Sequence, residues 1–440
     1  MTKREIHALL KKHDVRFMRL MFTDIMGSIK NVEVPRSQFD KAVDGEICFD
    51  GSSIQGFSRI EESDMLLKPD FSSFVLFPWS DERGKRAGMI CDVYNPDETA
   101  FNGCPRLALK RNVALAQKQG YEMMCGPELE FFLFERNDDG KPSITTHDSG
   151  GYFDLAPVDR GEGARRDIVN ALESMGIEVE AAHHEVAPGQ HEIDFKYADA
   201  VSTADRAMLF RLVVKKVAND HDLHATFMPK PIYGHNGNGM HVHQSLFKGG
   251  KNSFFGARKE YQLSDVALNY IGGLLRHARA ICSITNPLVN SYKRLVPGYE
   301  APVNVAWSER NRSPLCRVPA RRGVGTRVEL RMPDPSCNPY LAFAVMLAAG
   351  LDGLANKIDP GEPVNRNIFT MSQREKRRLK IDQLPADLHE ALGFLRKDKE
   401  VREALGEHIF EQYLSAKEEE WHDFISHVHG WEHERYLATF

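Results

Sequence analysis

Four short segments of this chain carry acids, imidazoles and guanidinium groups at spacings that could hold metal ions and phosphate. The first is Pro127-Glu128-Leu129-Glu130-Phe131-Phe132, read as a strand. Strand side chains alternate with period two, so Glu128 and Glu130 share one face while Leu129 and Phe131 enter a core. Two acids side by side in so apolar a strand repel unless a cation sits between them. The second runs from His184 to Phe195, where the Pro188-Gly189 turn signal would bring Glu185 near Glu192. The third places His241, His243 and Ser245 on one face after Asn236-Gly237-Asn238-Gly239. In the fourth, Arg327, Glu329 and Arg331 share a face.

Antiparallel strands lining one cavity could converge Glu128, Glu130, Glu185, Glu192 and Glu329 with His241. An oxygen-dominated donor set selects hard divalent cations such as Mg²⁺ or Mn²⁺ over zinc or copper. Five acids exceed the needs of one ion, so paired ions able to bridge phosphate oxygens are expected. A lone Glu-x-Glu is usually a solvated strand face, and a lone His-x-His is more often surface or core. The combination beside loops rich in Gly and Asn favours a site. The chain has no GxxxxGK[ST] loop, and Gly323-Val324-Gly325 precedes a strand rather than a helix. Phosphate is therefore left to metals and to the arginines crowded between Arg294 and Arg331, whose guanidinium forks suit such oxygens. Of these, Arg310, Arg317 and Arg322 read as surface ion-pair partners.

The elements that must position these segments divide the chain in two. The first hundred residues read as a small α+β unit. It has a helix over about 4–13, strands over 15–22, 29–34, 74–77 and 89–93, and a linker ending at Gly103-Cys104-Pro105. Pro105 opens a helix in the first turn, where its missing N–H costs nothing. Beyond it, helices are expected over 105–119, 161–175, 202–221, 262–281, 339–356, 385–395 and 407–427, alternating with short strands. The clusters 374–380 and 418–420 read as solvated charge.

The composition, 42% hydrophobic and 27% charged, is that of a chain with a real core rather than a disordered one. A formal charge of −5 gives no electrostatic footprint for nucleic acid or an anionic membrane. No apolar run reaches the ~20 residues of a bilayer span, and the N-terminal stretch lacks the apolar region of a signal peptide. Seven scattered cysteines without a CxxC pair argue for reduced thiols and a cytoplasmic location.

Taken together, the segments resemble class I glutamine synthetase over essentially the whole chain. The motifs that carry the resemblance are Phe49-Asp50-Gly51-Ser52-Ser53, Gly126-Pro127-Glu128-Leu129-Glu130-Phe131 and the run from Lys230 to His241. The run from Asn290 to Pro302 and Asn311-Arg312-Ser313 complete it. The resemblance implies an α+β fold: a small β-grasp-like domain over 1–103, then a catalytic domain over 104–440 with a curved antiparallel sheet, a partial barrel, surrounded by helices. It implies ATP-dependent condensation of glutamate and ammonia through γ-glutamyl phosphate, with two or more Mg²⁺ or Mn²⁺ ions per subunit. Glu130, Glu185 and Glu192 look like ligands of one ion, and Glu128, His241 and Glu329 of the ion that grips the ATP phosphates. Arg294 and the Asn236-Gly237 backbone would hold glutamate, and Arg312 and Arg331 the transferring phosphoryl. Tyr197, His243, Ser245, Arg312 and Arg327 would line the nucleotide, Asp50 would bind ammonium and take its proton, and Glu300 would close over the site.

The resemblance further implies a homododecamer of two stacked hexameric rings, with Asp50 supplied by the neighbouring subunit and Trp431–Phe440 reaching the opposite ring. Phe369 stands where adenylylated members carry tyrosine, so no adenylylation is expected there. Arg59 and the short chain resemble the alpha subtype, which glutamine inhibits directly. Arg59 is either the regulatory relay or a local ion-pair partner of Glu61 or Glu62. Some alpha-subtype enzymes bind nitrogen-responsive transcription repressors, a partner that nothing in these residues establishes. A γ-glutamyl-amine ligase would keep the metals and alter the ammonium pocket, but Asp50 and Glu300 favour ammonia. A non-catalytic relative would have eroded ligands, and all six are present.

Overall fold

The computed structural model describes every residue except 55, 58–63, 80–83, 310 and 312, and the side chains of 369 and 373. The chain folds as α+β around two sheets. The N-terminal sheet has six strands among the described residues. Its order is Ile29–Pro35, Val15–Thr23, Lys85–Tyr94, Asp64–Pro69 and Ile47–Asp50, with Val75–Leu76 also paired to Lys85–Tyr94. Val15–Thr23 runs parallel to Lys85–Tyr94, and the other pairs are antiparallel. Helix Lys3–Lys12 starts at a capping box in which Thr2 and Glu5 satisfy each other's backbone N–H. It buries Ile6 and Leu10 in the core.

The second sheet has twelve strands among the described residues and forms a nearly closed, curved surface. Its spine is the strand Glu122–Arg136, flanked by Met240–Lys248 on one side and Gln190–Phe195 on the other. Val179–His184 extends one edge; Val328–Leu330, Pro314–Arg317, Asn304–Ser308 and Asp382–Gln383 extend the other. The expected antiparallel order holds except between Asn304–Ser308 and Pro314–Arg317, which are parallel. Leu129, Phe131 and Leu133 are fully buried on the face of the spine opposite the acids. Helices Pro105–Lys118, Ala200–Asp220, Asp265–Thr285 and Pro339–Ala355 cover that face. The expected helix ends agree within a few residues. The short helices Phe39–Asp44, Lys399–Leu405 and Gly430–Tyr436 were not legible, because one or two turns show too little periodicity.

Arg106, on helix Pro105–Lys118, joins the N-terminal sheet to the helices packed on the second. Its buried guanidinium donates to Asp92 and Asp70 of the N-terminal unit at 2.8 Å each, and to Asp205 of helix Ala200–Asp220 at 2.8 and 2.9 Å. A fork so filled repays its desolvation, whereas a half-filled one would not. Among the described residues no helix is long and apolar enough to cross a membrane. The described cysteines are all free.

Candidate active site

Strand register builds the site. His241 lies directly opposite Glu128, Glu192 opposite Glu130, and His243 opposite Glu329. Facing pairs on adjacent strands sit about 5 Å apart, so a register fixed by the apolar face also fixes the polar one. Glu185 enters through the turn 187–190, where Gly189 takes φ +69° and the Glu185 N–H donates to the Gln190 carbonyl at 2.7 Å. The expected approach of Glu185 to Glu192 is present, and all six acid and imidazole residues line one cavity of about 230 Å³.

The hydrogen bonds define two subclusters. In one, Glu128 lies 3.3 Å from His241 Nδ1 and 2.6 Å from His243 Nε2, with Glu329 3.8 Å from His241 Nδ1. In the other, Glu130 Oε2 accepts from Gln190 Nε2 and the Gly239 N–H, each at 2.9 Å, while His183 Nε2 lies 3.1 Å from Glu192. Gly239 is required by closeness: a Cβ there would stand 2.6 Å from the Arg294 guanidinium and 3.1 Å from Glu130 Oε1.

The electrostatics differ between the two. Burial pushes Glu130 well above the carboxylate range, and Glu185 and Glu192 add to it. Glu192 and Glu185 are also raised, by burial first. These are acids crowded together without enough positive charge. Burial also opposes ionisation of Glu128, but its bonds to His241 and His243 hold it well below the usual range. Burial likewise works against Glu329, and Arg331, whose guanidinium reaches its carboxylate, outweighs it. Burial and the neighbouring Arg331 bring His241 down to about 4, so its ring is neutral at pH 7 and keeps a lone pair for a ligand. A pocket of raised carboxylates and a neutral imidazole fits hard divalent cations, which favour oxygen donors.

A second cavity of about 300 Å³ adjoins the first at Glu128. It is lined by Tyr197, His243, Ser245 and Arg327, with Phe195 and Val324 among its apolar walls. Arg327 donates to His243 Nδ1 at 3.1 Å. The first cavity also holds Asn236, Gly237, Arg294, Glu300 and Arg331. Arg294 is buried and donates to the carbonyls of Met332 and Arg331 at 2.7 and 3.3 Å. Asp50 lies in the N-terminal sheet, exposed and bonded to Ser52, and lines neither cavity of its own chain. Arg59, Arg310 and Arg312 lie outside the described residues.

Arg317 corrects the sequence reading. It is not a surface partner: it faces Glu329 across the strand pair and donates to its carboxylate inside the first cavity. Only strand pairing reveals this, since twelve residues separate the two. Arg322 does form an ion pair, with Glu309 at 3.3 Å, but both partners are half-buried rather than on the open surface. Gln190, by contrast, could have been found from the sequence, because two-residue alternation puts it on the face of Glu192. Asp194 and Glu180, which line the second cavity, continue the acidic face on the two strands of the hairpin.

Behind the turn lies a buried group of His147, Asp148, His184 and His191. Asp148 accepts from the Gly189 N–H at 2.9 Å, and His184 Nδ1 reaches the Glu185 carbonyl at 2.7 Å. Arg165 stands 2.9 Å from His191 Nδ1. An arginine can only donate, so the ring proton of neutral His191 sits on Nε2 and that nitrogen offers no lone pair. The cluster therefore braces the turn rather than offering a further cation site.

Residues 14–96 match the family model described as the glutamine synthetase beta-Grasp domain, and residues 102–436 the one described as the glutamine synthetase catalytic domain. The chain is 61% identical over 443 residues to a glutamine synthetase of Thermus thermophilus, covering 100% of this chain and 99% of the relative. It is 56% identical to one of Clostridium saccharobutylicum, with the same coverage. Among solved structures, a GmaS complex with ADP is similar at 32% identity and a TM-score of 0.89, covering 98% of this chain and 99% of that one. A Plasmodium falciparum glutamine synthetase is similar at 26% identity and a TM-score of 0.88, covering 99% of each.

Proposed function

We propose, from the premise that this chain belongs to the glutamine synthetase family, that it joins ammonia to the γ-carboxylate of glutamate, with ATP converted to ADP and phosphate. The observation that carries this reading is the meeting of Glu128, Glu130, Glu185, Glu192, His241 and Glu329 in one cavity, adjoined by a second lined by Tyr197, Ser245 and Arg327.

A carboxylate does not react with ammonia at neutral pH. Transfer of the ATP γ-phosphoryl to the glutamate side chain makes γ-glutamyl phosphate, which ammonia then attacks with loss of phosphate. Glu130, Glu185 and Glu192 would hold one Mg²⁺ or Mn²⁺ ion, and Glu128, His241 and Glu329 a second. When bound, such ions neutralise phosphate oxygens and hold them in line for transfer. Arg331, fixed by Glu329, and Arg312 would meet the charge that builds on the transferring phosphoryl. Arg317, held by the same carboxylate, adds a further guanidinium at that edge. Arg294 and the Asn236-Gly237 backbone, which line the first cavity, would hold the amino acid, and Tyr197, His243, Ser245 and Arg327, which line the second, the nucleotide.

Asp50, absent from its own chain's cavities, supports a site completed by a neighbouring subunit. On this reading residues 1–103 serve the neighbour's site and 104–440 hold the chain's own metals and substrates, within a dodecamer of two stacked rings. Asp50 there takes the ammonium proton and Glu300 closes over the intermediate. Direct inhibition by glutamine and a cytoplasmic location belong to the same reading, with Arg59 either its relay or an ion-pair partner of Glu61 or Glu62. The test is glutamine formation by the purified protein with glutamate, ATP, ammonium and Mg²⁺. Equal amounts of glutamine and phosphate are expected. Phosphate and amide formation with putrescine or ethylamine but not with ammonium would overturn the substrate assignment.

A further inference from the structure

Lys230 is a buried lysine that, among the described residues, forms no ion pair with a carboxylate. Its relative exposure is 9%, and the charged neighbour acting on it is Arg294, another cation. Burying an unpaired ammonium costs free energy unless something replaces its water. Two groups do so here. The Nζ atom donates to the carbonyl of His235 and lies 3.7 Å from the centroid of the Tyr299 ring. The lysine backbone is itself fixed, because its N–H donates to Asn290 Oδ1 at 2.7 Å and its carbonyl accepts from Asn290 Nδ2 at 3.1 Å.

The two groups belong to different parts of the cavity rim. His235 precedes Asn236 and Gly237. Tyr299 precedes Glu300, which takes the left-handed φ of +59° and whose carboxylate is 3.5 Å from Asn236 Nδ2. Neighbouring Pro297, Gly298 and Glu300 are exposed, while Ala301 and Pro302 are buried and anchor the far end of the segment. Lys230 thus touches both the loop whose Asn236 and Gly237 line the first cavity and the segment proposed to close over it.

We propose that Lys230 is a positioning residue that latches residues 297–300, which lead into buried Ala301, shut through the ring face of Tyr299. Swinging the segment away would leave the ammonium with one carbonyl in a poorly hydrated place, so the closed state is favoured. The contact rests on the ring face rather than on the hydroxyl, because a cation is drawn to the aromatic quadrupole. This inference rests on the proposed reaction, in which an acyl phosphate must be kept from water. When the segment stands open, the oxygen of a water bonds to the γ-carbonyl carbon and the bond from that carbon to the phosphate oxygen breaks. Phosphate leaves with the electron pair and takes up one of the two water protons, the other passes to solvent, and glutamate returns while ATP has become ADP.

The test is the ratio of phosphate released to glutamine formed by the assembled enzyme at saturating ammonium, together with glutamate-dependent phosphate release without ammonium. Wild type and Tyr299→Phe, which keeps the ring, are expected to stay near equal ratios. Lys230→Met and Tyr299→Leu are expected to release phosphate in excess of glutamine, with leakage about tenfold above wild type, the size expected for losing a desolvated cation–ring contact. If Lys230→Met does not fold, Tyr299→Leu decides, since Tyr299 is half-exposed on the rim. Equal ratios in Tyr299→Leu, or leakage as large in Tyr299→Phe as in Tyr299→Leu, would overturn the latch. A wild type that makes no glutamine would instead overturn the proposed reaction, so the two failures are distinct.

Discussion

Glu329 is the most heavily engaged side chain in the site. It is fully buried, faces His243 across one strand pair and Arg317 across the other, and accepts from Arg317 and Arg331. Arg331, with His241 and His243, holds its carboxyl below the ordinary range despite burial, which is the state a metal ligand needs. Removing Arg317 leaves Arg331 as its charged donor and loosens the carboxylate. Arg317→Ala is therefore expected to lower kcat and Mn²⁺ affinity by roughly 10- to 100-fold, the usual cost of losing an outer partner of a ligand. Arg317→Lys should recover only part, since a point charge cannot replace a planar fork. Steady-state kinetics with a Mn²⁺ titration checks this, and an Arg317→Ala enzyme with both constants unchanged would show that the Arg317–Glu329 pair does not support the site.

At the scale of elements, the strands that gather the acids also store repulsion. Burial, with Glu128 next, raises Asp194 to about 7 from an ordinary 3.8, and Glu130, Glu185 and Glu192 move in the same direction. A carboxyl raised in the folded state holds more protons there than in the unfolded chain, so stability falls as pH rises. For Asp194 that contribution is fully present below about pH 4 and lost as pH climbs through about 7. Metal-free protein is thus expected to melt at progressively lower temperature from about pH 5 to 7.5 in EDTA. The fall should be shallower in Asp194→Asn. It should shrink further for wild type in Mg²⁺, because a bound cation takes up the ionised form. Thermal melts across that range check the sign, and a melting temperature rising with pH in EDTA would contradict it.

For the whole molecule, the informative fact is a residue out of place. Asp50 sits at the end of an N-terminal strand, bonded to Ser52 and away from the cavities of its own chain, while Arg106 pins that sheet to the catalytic part. If a neighbour completes the site, two defective chains can repair each other. Asp50→Asn and Glu329→Gln proteins, each inactive alone, are expected to regain activity when co-assembled. At equal mixing about a quarter of sites would carry both native residues, as a head-to-tail ring interface requires. No recovery in co-expressed, size-verified oligomers would place the whole site within one chain.

The sequence by itself determined the acid and imidazole set and the faces on which it lies. Period-two alternation in Glu128–Phe131 and His241–Ser245 is a local property, and the Pro188-Gly189 turn announces its own hairpin. Helix positions were legible for the same reason, because a periodicity of three to four turns survives without a neighbour. Tertiary structure alone decided which strand stands beside which. Pairing across distant segments set Arg317 against Glu329, brought Gln190 to Glu130, and placed the ammonium of Lys230 under Tyr299. Those contacts depend on sheet register and loop closure, whose free energy comes from burying the opposite, apolar face. No stretch of residues around either partner encodes it alone.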